Sequence, residues 1–347
     1  NGWSRDKKKG SSRYDRIPLS ITKEVCLRKP KDYARLIPET LTGKFTCADF
    51  AKAAKINKKQ EDKIMGFLES FGMGFLILVL IALVVSSVGF YKYVYFISLG
   101  YGFSIAVMGV ALFIMYNDVI GVGTLVMCAL FLVYGCRLGG YLLIREIKSA
   151  SYRSTMKKEI KDGKSMKMVA KISIWVSCAL LYAFQVSPLL FRLMDAKSVL
   201  VKNSEAVIGH TDLVTIVGAV IMALGIILES AADFQKSKAK KVNPTRFCDS
   251  GLYKIVRCPN YLGELVIWTG SFIVCFGACC SVWQWIVAAI GYIGIVYVMF
   301  SGARRLEIRQ NVTYGKDPEY QAYIKKTPIL LPFVPIYSVE KHKWLQA

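Results

Sequence analysis

The sequence predicts an all-α, polytopic membrane helix bundle of about seven transmembrane helices with a small helical N-terminal extension. Of 347 residues, 54% are hydrophobic, and they gather into runs of about twenty, the length that crosses a bilayer and one a soluble core does not require. The charge is equally uneven. Lys and Arg number 46 against 24 Asp and Glu, a formal net charge of +22, with the excess in the N-terminal stretch and between the apolar runs. Such segments suit contact with anionic lipid headgroups or a polyanionic ligand.

Residues 1–66 form a basic extension and residues 67–347 a transmembrane domain. The first ten residues are polar, and no secretory-signal pattern is read before the apolar runs begin. Within the extension, residues 46–65 read as two short helices joined by a tight turn, with Lys58 and Lys59 opening the second. That pattern is helix-turn-helix-like, but nucleic acid is an unfavoured partner; a basic amphipathic hairpin resting on the membrane surface is the other reading.

Seven apolar runs follow, at 71–90, 93–116, 120–144, 170–194, 212–232, 262–280 and 283–303. The loops 145–169 and 233–260 and the tail after Arg304 are rich in Lys and Arg, so the positive-inside rule places them together on the cytoplasmic side, which seven spans allow. Three spans then set the basic extension opposite the 145–169 loop, against its charge; the rule weakens for tails of this length. Ten Cys are scattered, several inside apolar runs, and read as buried free thiols. Only His210 and His342 occur, too few for a His-rich metal centre, and no metal is predicted.

Polar residues inside apolar runs mark function or pairing, because an isolated charge there is costly. Asn260 and Glu264 lie four apart at the start of the sixth run, on one face if a helix begins at Pro259. Glu229 and Asp233 have the same spacing at the end of the fifth run. At the end of the third, Tyr134, Arg137 and Tyr141 share a face, with Gly139-Gly140 open to close approach by a helix or ligand. Arg137 requires a partner, either Glu229 or Glu264 in an internal ion pair or the phosphate of an anionic ligand. After the last run, Tyr320 and Tyr323 lie on an expected amphipathic helix closed by prolines, a cap over the bundle opening or an interfacial anchor.

The motifs Ala232-Asp233-Phe234-Gln235-Lys236, Asn243-Pro244, Gly251-Leu252-Tyr253, Arg257-Cys258-Pro259-Asn260-Tyr261-Leu262-Gly263-Glu264, Trp268, Tyr314-Gly315, Tyr320-x-x-Tyr323 and Thr327-Pro328 occur in the order of the DUF1295 family. The chain resembles that family over roughly residues 70–335, and the family belongs with the steroid 5-alpha-reductases. The resemblance implies an integral membrane enzyme that takes NADPH from the cytoplasmic side and reduces a carbon–carbon double bond conjugated to a carbonyl. It implies that Asp233, Asn260 and Glu264 contact the cofactor, with Glu229 a further polar contact and Arg137 and Arg145 partners of its phosphates. Arg257, Tyr261, Tyr320 and Tyr323 complete the implied cofactor-binding set. Tyr134 takes the place of the tyrosine that hydrogen-bonds the substrate ketone.

A positioned hydroxyl suits that chemistry, since hydride addition to an enone builds negative charge on the carbonyl oxygen. A dry membrane cavity would strengthen the hydrogen bond and admit an apolar substrate from surrounding lipid. The Gln-Glu pair that steroid enzymes carry on an early span is not evident; the nearest polar candidates are Asn117 and Asp118. The substrate class therefore stays open between a 3-oxo-4-ene steroid and an isoprenoid lipid. The alternative is a methyltransferase. The Arg-x-Pro-x-Tyr-x-Gly core is also similar to isoprenylcysteine carboxyl and phospholipid methyltransferases, which use S-adenosylmethionine. Those usually carry His before the Pro and lack the Asn-x-x-x-Glu that favours the reductase; Cys258 stands at that position here and fits neither family's usual His. A non-enzymatic membrane protein with a regulatory basic tail is a third reading.

Overall fold

A computed structural model describes residues 58–148, 166–202, 213–279 and 281–345. Contacts divide the chain into Asn1–Phe67 and Leu68–Ala347. The helix-turn-helix-like reading of 46–65 depends on residues up to 57, which lie outside the described ones.

Among the described residues there are eight α-helices and no strand. Helix α1, Lys58–Ser86, is interrupted at Gly72, whose φ of 42° and ψ of 171° are open to glycine and break the helical ladder. From Gly72 an apolar stretch runs through a 3-10 turn, Ser87–Phe90, giving the first span. A 3-10 turn, Tyr93–Ile97, leads into α2, Leu99–Met115. Then come α3, Val122–Lys148, α4, Met168–Lys202, and α5, Leu213–Val242. Helix α6, Pro259–Ile273, has Pro at its first position, where the missing N–H costs nothing. After it come a 3-10 turn, Val274–Gly277, and α7, Val282–Tyr314, opened by a Ser281/Gln284 capping box. The expected C-terminal amphipathic helix is α8, Pro318–Lys326, its N-cap Asp317 accepting from Glu319 N at 2.9 Å.

Six of these segments are long and apolar enough to cross a membrane. The predicted sixth run is the exception: α6 starts earlier than the hydropathy, at Pro259, and has only 15 residues. With its 3-10 extension it still rises about 30 Å, close to the hydrocarbon thickness. Outward stripes on the long helices, Leu76, Leu80 and Val84 on α1 and Val220, Leu224 and Ile227 on α5, are exposed and wholly apolar. A water-facing helix would not present such a surface; a lipid-facing one does.

Inside, backbones meet at glycines. Gly218 and Gly225 of α5 and Gly263 and Gly270 of α6 are each seven apart, so each pair falls on one face. A Cβ added at Gly263 would lie 2.7 Å from the backbone nitrogen of Glu229, and one at Gly218 would lie 2.6 Å from the Gly270 carbonyl oxygen. The close contact holds the start of α6 against the end of α5. Gly102 of α2 and Gly135 and Gly139 of α3 do the same for the other helix pair.

The ends of α3, α5 and α7 and the start of α6 gather at one end of the bundle. Arg137 of α3 bonds Asp233 of α5, and Arg257, just before α6, bonds Glu307 of α7. The two basic loops and the C-terminal tail therefore leave from that shared end. Asp118, by contrast, pairs with Lys197 at 3.2 Å, and both it and Asn117 are exposed, so neither supplies an interior polar group.

Candidate functional site

Glu264 lies on α6 one turn beyond Asn260, and the glycine-tight contact with α5 turns that face into the bundle. Its carboxylate is 5% exposed and meets hydroxyl and indole donors rather than a cation. Tyr134 of α3, fully buried, donates to Glu264 from 2.8 Å at Oε1 and 2.7 Å at Oε2. Trp268, one turn further along α6, lies 3.1 Å from Oε2 and donates to the Tyr101 hydroxyl at 2.7 Å. Tyr101 of α2 is 3.3 Å from Oε2 and 3.0 Å from the Tyr134 hydroxyl. Two O–H hydrogens, and one N–H shared with Tyr101, thus converge on one carboxylate, which satisfies it without a counter-ion. Edge-on packing of Tyr134 on Trp268 and stacking of Phe131 on the indole keep water from it.

One turn beyond Tyr134, Arg137 bridges α3 to α5, pairing with Glu229 and, at 2.5 Å, with Asp233. Of the two partners the sequence allows, Glu229 is the one found, and Asp233 joins it. The guanidinium also lies 5.9 Å from the Tyr141 ring, over which Arg145 sits at 5.4 Å. Below this arginine an open groove of about 640 Å³ is lined by Arg137, Tyr141, Asp233, Phe234, Lys238 and Lys241, with Ser230 and Ser237. Asn260 Oδ1 is buried nearby in sequence to Glu264 and has no partner among the described residues.

The remaining sequence-predicted residues form a separate cluster. Arg257, 3% exposed, bonds Glu307 at 2.8 Å and the Tyr337 carbonyl, while Glu307 also accepts from Val339 N at 2.8 Å. Tyr261 packs its ring against Gly302 of α7. Tyr320 donates to Asn311 at 2.8 Å and Tyr323 to the Tyr253 carbonyl at 2.7 Å, and both rings pack on Phe247. Burial pushes the Tyr320 hydroxyl up to about 12 and the Cys258 thiol up to about 11. This cluster ties the 243–258 strap to α8 and the tail. Its side chains are engaged with protein, in contrast to the groove lysines.

The structure therefore brings together Tyr134, Arg137, Glu229, Asp233 and Glu264, with Arg145 alongside through Tyr141. It does not bring Arg257, Tyr320 and Tyr323 to them, while Tyr261, packed on α7, lies within electrostatic reach of Arg145. Lys238 and Lys241 as groove residues, Tyr101 as a donor and Glu307 as the partner of Arg257 are not apparent from the sequence. Comparison with curated proteins and with solved structures gives no match. Residues 70–327 match the family model described as "Protein of unknown function (DUF1295)", and on that match, which spans most of the chain, the protein belongs to the DUF1295 family.

Proposed function

We propose that this protein is an integral membrane, NADPH-dependent reductase of a carbon–carbon double bond conjugated to a carbonyl in a lipophilic substrate, steroid-like or isoprenoid. The observation that carries the proposal is the fully buried Tyr134 hydroxyl, 2.7 Å from Glu264, on a helix that one turn later borders a lysine-rimmed groove. When bound, NADPH supplies a hydride. Tyr134 donates its hydrogen bond to the carbonyl oxygen, where negative charge grows as the β-carbon is reduced, and the proton that completes reduction comes from Tyr134 or from water. Glu264 holds the hydroxyl in place beforehand and offers a path for its reprotonation.

The residues present fit a dinucleotide phosphate. The groove volume lies in the range of small-molecule and cofactor sites. Lys238 and Lys241 supply positive charge at its rim, and Ser230 and Ser237 add hydroxyls to its lining. Arg137 is already held by two carboxylates, so its part is to fix Glu229 and Asp233 rather than to meet phosphate alone. We place the groove end of the bundle, with the basic loops and the C-terminus, in the cytoplasm, where NADPH is available.

Heat stabilisation of the purified full chain tests the cofactor. NADPH at a hundredfold excess over its Kd raises Tm by several degrees, from a linkage gain of about 2.7 kcal/mol. S-adenosylmethionine leaves Tm unchanged. Stabilisation by S-adenosylmethionine alone would assign the chain to the methyltransferases instead.

A further inference from the structure

Gln185 is a buried polar group that the proposed reaction does not use. It lies on α4 with 3% of its surface exposed, and neither Oε1 nor Nε2 has a hydrogen-bond partner among the described residues. A primary amide in that state is unfavourable, because it has given up water and gained nothing. The backbone around it is also disturbed. Pro188 stands inside α4, and its missing N–H leaves the Phe184 carbonyl to be taken up by Ser187 Oγ at 2.8 Å. The Gln185 carbonyl accepts from Ser271 Oγ of α6 at 3.0 Å. Gly291 of α7 approaches so closely that an added Cβ would lie 2.6 Å from the Phe184 carbonyl carbon.

Three helices thus line a small, partly open cavity of about 10 Å³, walled by Gln185 and Pro188 of α4, Trp268 and Phe272 of α6, and Ala288 and Tyr292 of α7. The other polar atoms on this wall are engaged. Tyr292 OH is 2.9 Å from Thr269 Oγ1, and Trp268 Nε1 donates toward Tyr101 and Glu264. The side-chain amide of Gln185 is the group left to meet a ligand. The space admits one oxygen-sized group. A hydroxyl matches the amide, since it accepts from Nε2–H and donates to Oε1, whereas a charged group would find no counter-ion on these walls. Trp268 links the cavity to the Tyr134–Glu264 pair, one edge of its indole bonding that network while its ring forms the cavity wall.

We infer that Gln185 is a specificity-determining residue, binding a hydroxyl that the lipophilic substrate carries at a position remote from its enone. The inference rests on the reductase reading of Tyr134 and Glu264. It is tested by binding, read as heat stabilisation of the full chain in detergent against ligand concentration. The probes are two matched pairs, a 3-oxo-4-ene steroid and a linear isoprenoid enone, each with and without one hydroxyl at the end remote from the enone.

In the wild type the hydroxylated member of at least one pair binds about two- to tenfold more tightly, the worth of one neutral hydrogen bond. In Gln185→Met, which keeps the side-chain length, that ratio falls to about one. Should Gln185→Met fail to fold, Gln185→Asn withdraws the amide by one methylene and reads the same ratio. Equal binding within both pairs, or binding of neither, overturns the inference and leaves Gln185 a partner of water alone. Because binding needs no turnover, the two readings separate. A hydroxyl preference lost in Gln185→Met, in a protein that oxidises no NADPH with any enone, sustains the inference and removes the reductase. NADPH-dependent reduction without a hydroxyl preference does the reverse.

Discussion

Tyr134 and Arg257 are two residues of the same implied set with different consequences when removed. Tyr134→Phe deletes one donor aimed at developing negative charge and keeps the ring's packing, so kcat falls on the order of a hundredfold or more, while the loss of the shortest donor to buried Glu264 lowers Tm by the equivalent of about 1–3 kcal/mol. Steady-state kinetics on an accepted enone measure it, and unchanged kcat would strip Tyr134 of its role. Arg257 is held to the protein through Nη2, which bonds both Glu307 and the Tyr337 carbonyl. Arg257→Ala therefore leaves a buried carboxylate unpaired and costs about 3–5 kcal/mol of stability, read as a lower Tm without any ligand. Lys238→Ala with Lys241→Ala gives the opposite pattern: Tm of the free protein is kept and stabilisation by NADPH is lost. Cys258, buried at the start of α6, carries a pH dependence. Burial raises its thiol from 9.0 to about 11, so the folded state favours the protonated form. Its contribution is intact below pH 9 and is lost as pH rises toward 11, about 2–3 kcal/mol in all. Replacing Cys258 with Ser flattens that part of the Tm–pH profile; an unchanged slope would contradict the burial effect.

At the scale of elements, the contact of α5 with α6 positions Glu264. A Cβ at Gly263 would strike the backbone of Glu229, which cannot swing aside as a side chain can. Gly263→Ala is therefore expected to lower Tm by the equivalent of about 1–3 kcal/mol, and turnover with it. Gly140→Ala, with open space around the new methyl, is the control and leaves Tm unchanged or slightly higher. The same helices show what the sequence makes legible. A run of about twenty apolar residues has little choice but to cross a bilayer, so the helices sit where hydropathy puts them. Their ends do not. Hydropathy stops the fifth run at 232, yet α5 continues to Val242, because Lys and Gln are good helix formers even where they are poor membrane residues. Lys238 and Lys241 therefore read as loop in the sequence, which hides the groove they rim. Pairing across the chain is legible only where necessity forces it. Arg137 demanded an acid and the fifth run supplied Glu229, whereas nothing local in Tyr101 points to a carboxylate 163 residues away.

At the scale of the whole molecule, the ends of α3, α5 and α7 converge at one end of the bundle, where the strap 243–258 and the C-terminal tail also lie; on the proposed orientation that end is cytoplasmic. Impermeant maleimide applied to single cysteines placed at Ser151, Thr245 and Ala347 is expected to label all three only after the cytoplasmic face is opened; labelling of one from outside would break the bundle order. On the proposed reading, that common end, with lysines around a groove and a buried tyrosine–glutamate pair behind it, would take a charged cofactor from water while an apolar substrate enters from lipid. The most direct measurement of this account follows deuterium from NADPH labelled at the hydride position into a lipophilic enone incubated with the purified protein. One deuterium is expected on the β-carbon, with the transfer strongly reduced in Tyr134→Phe. Product without deuterium, or a methyl group acquired from S-adenosylmethionine in the parallel incubation, would contradict it.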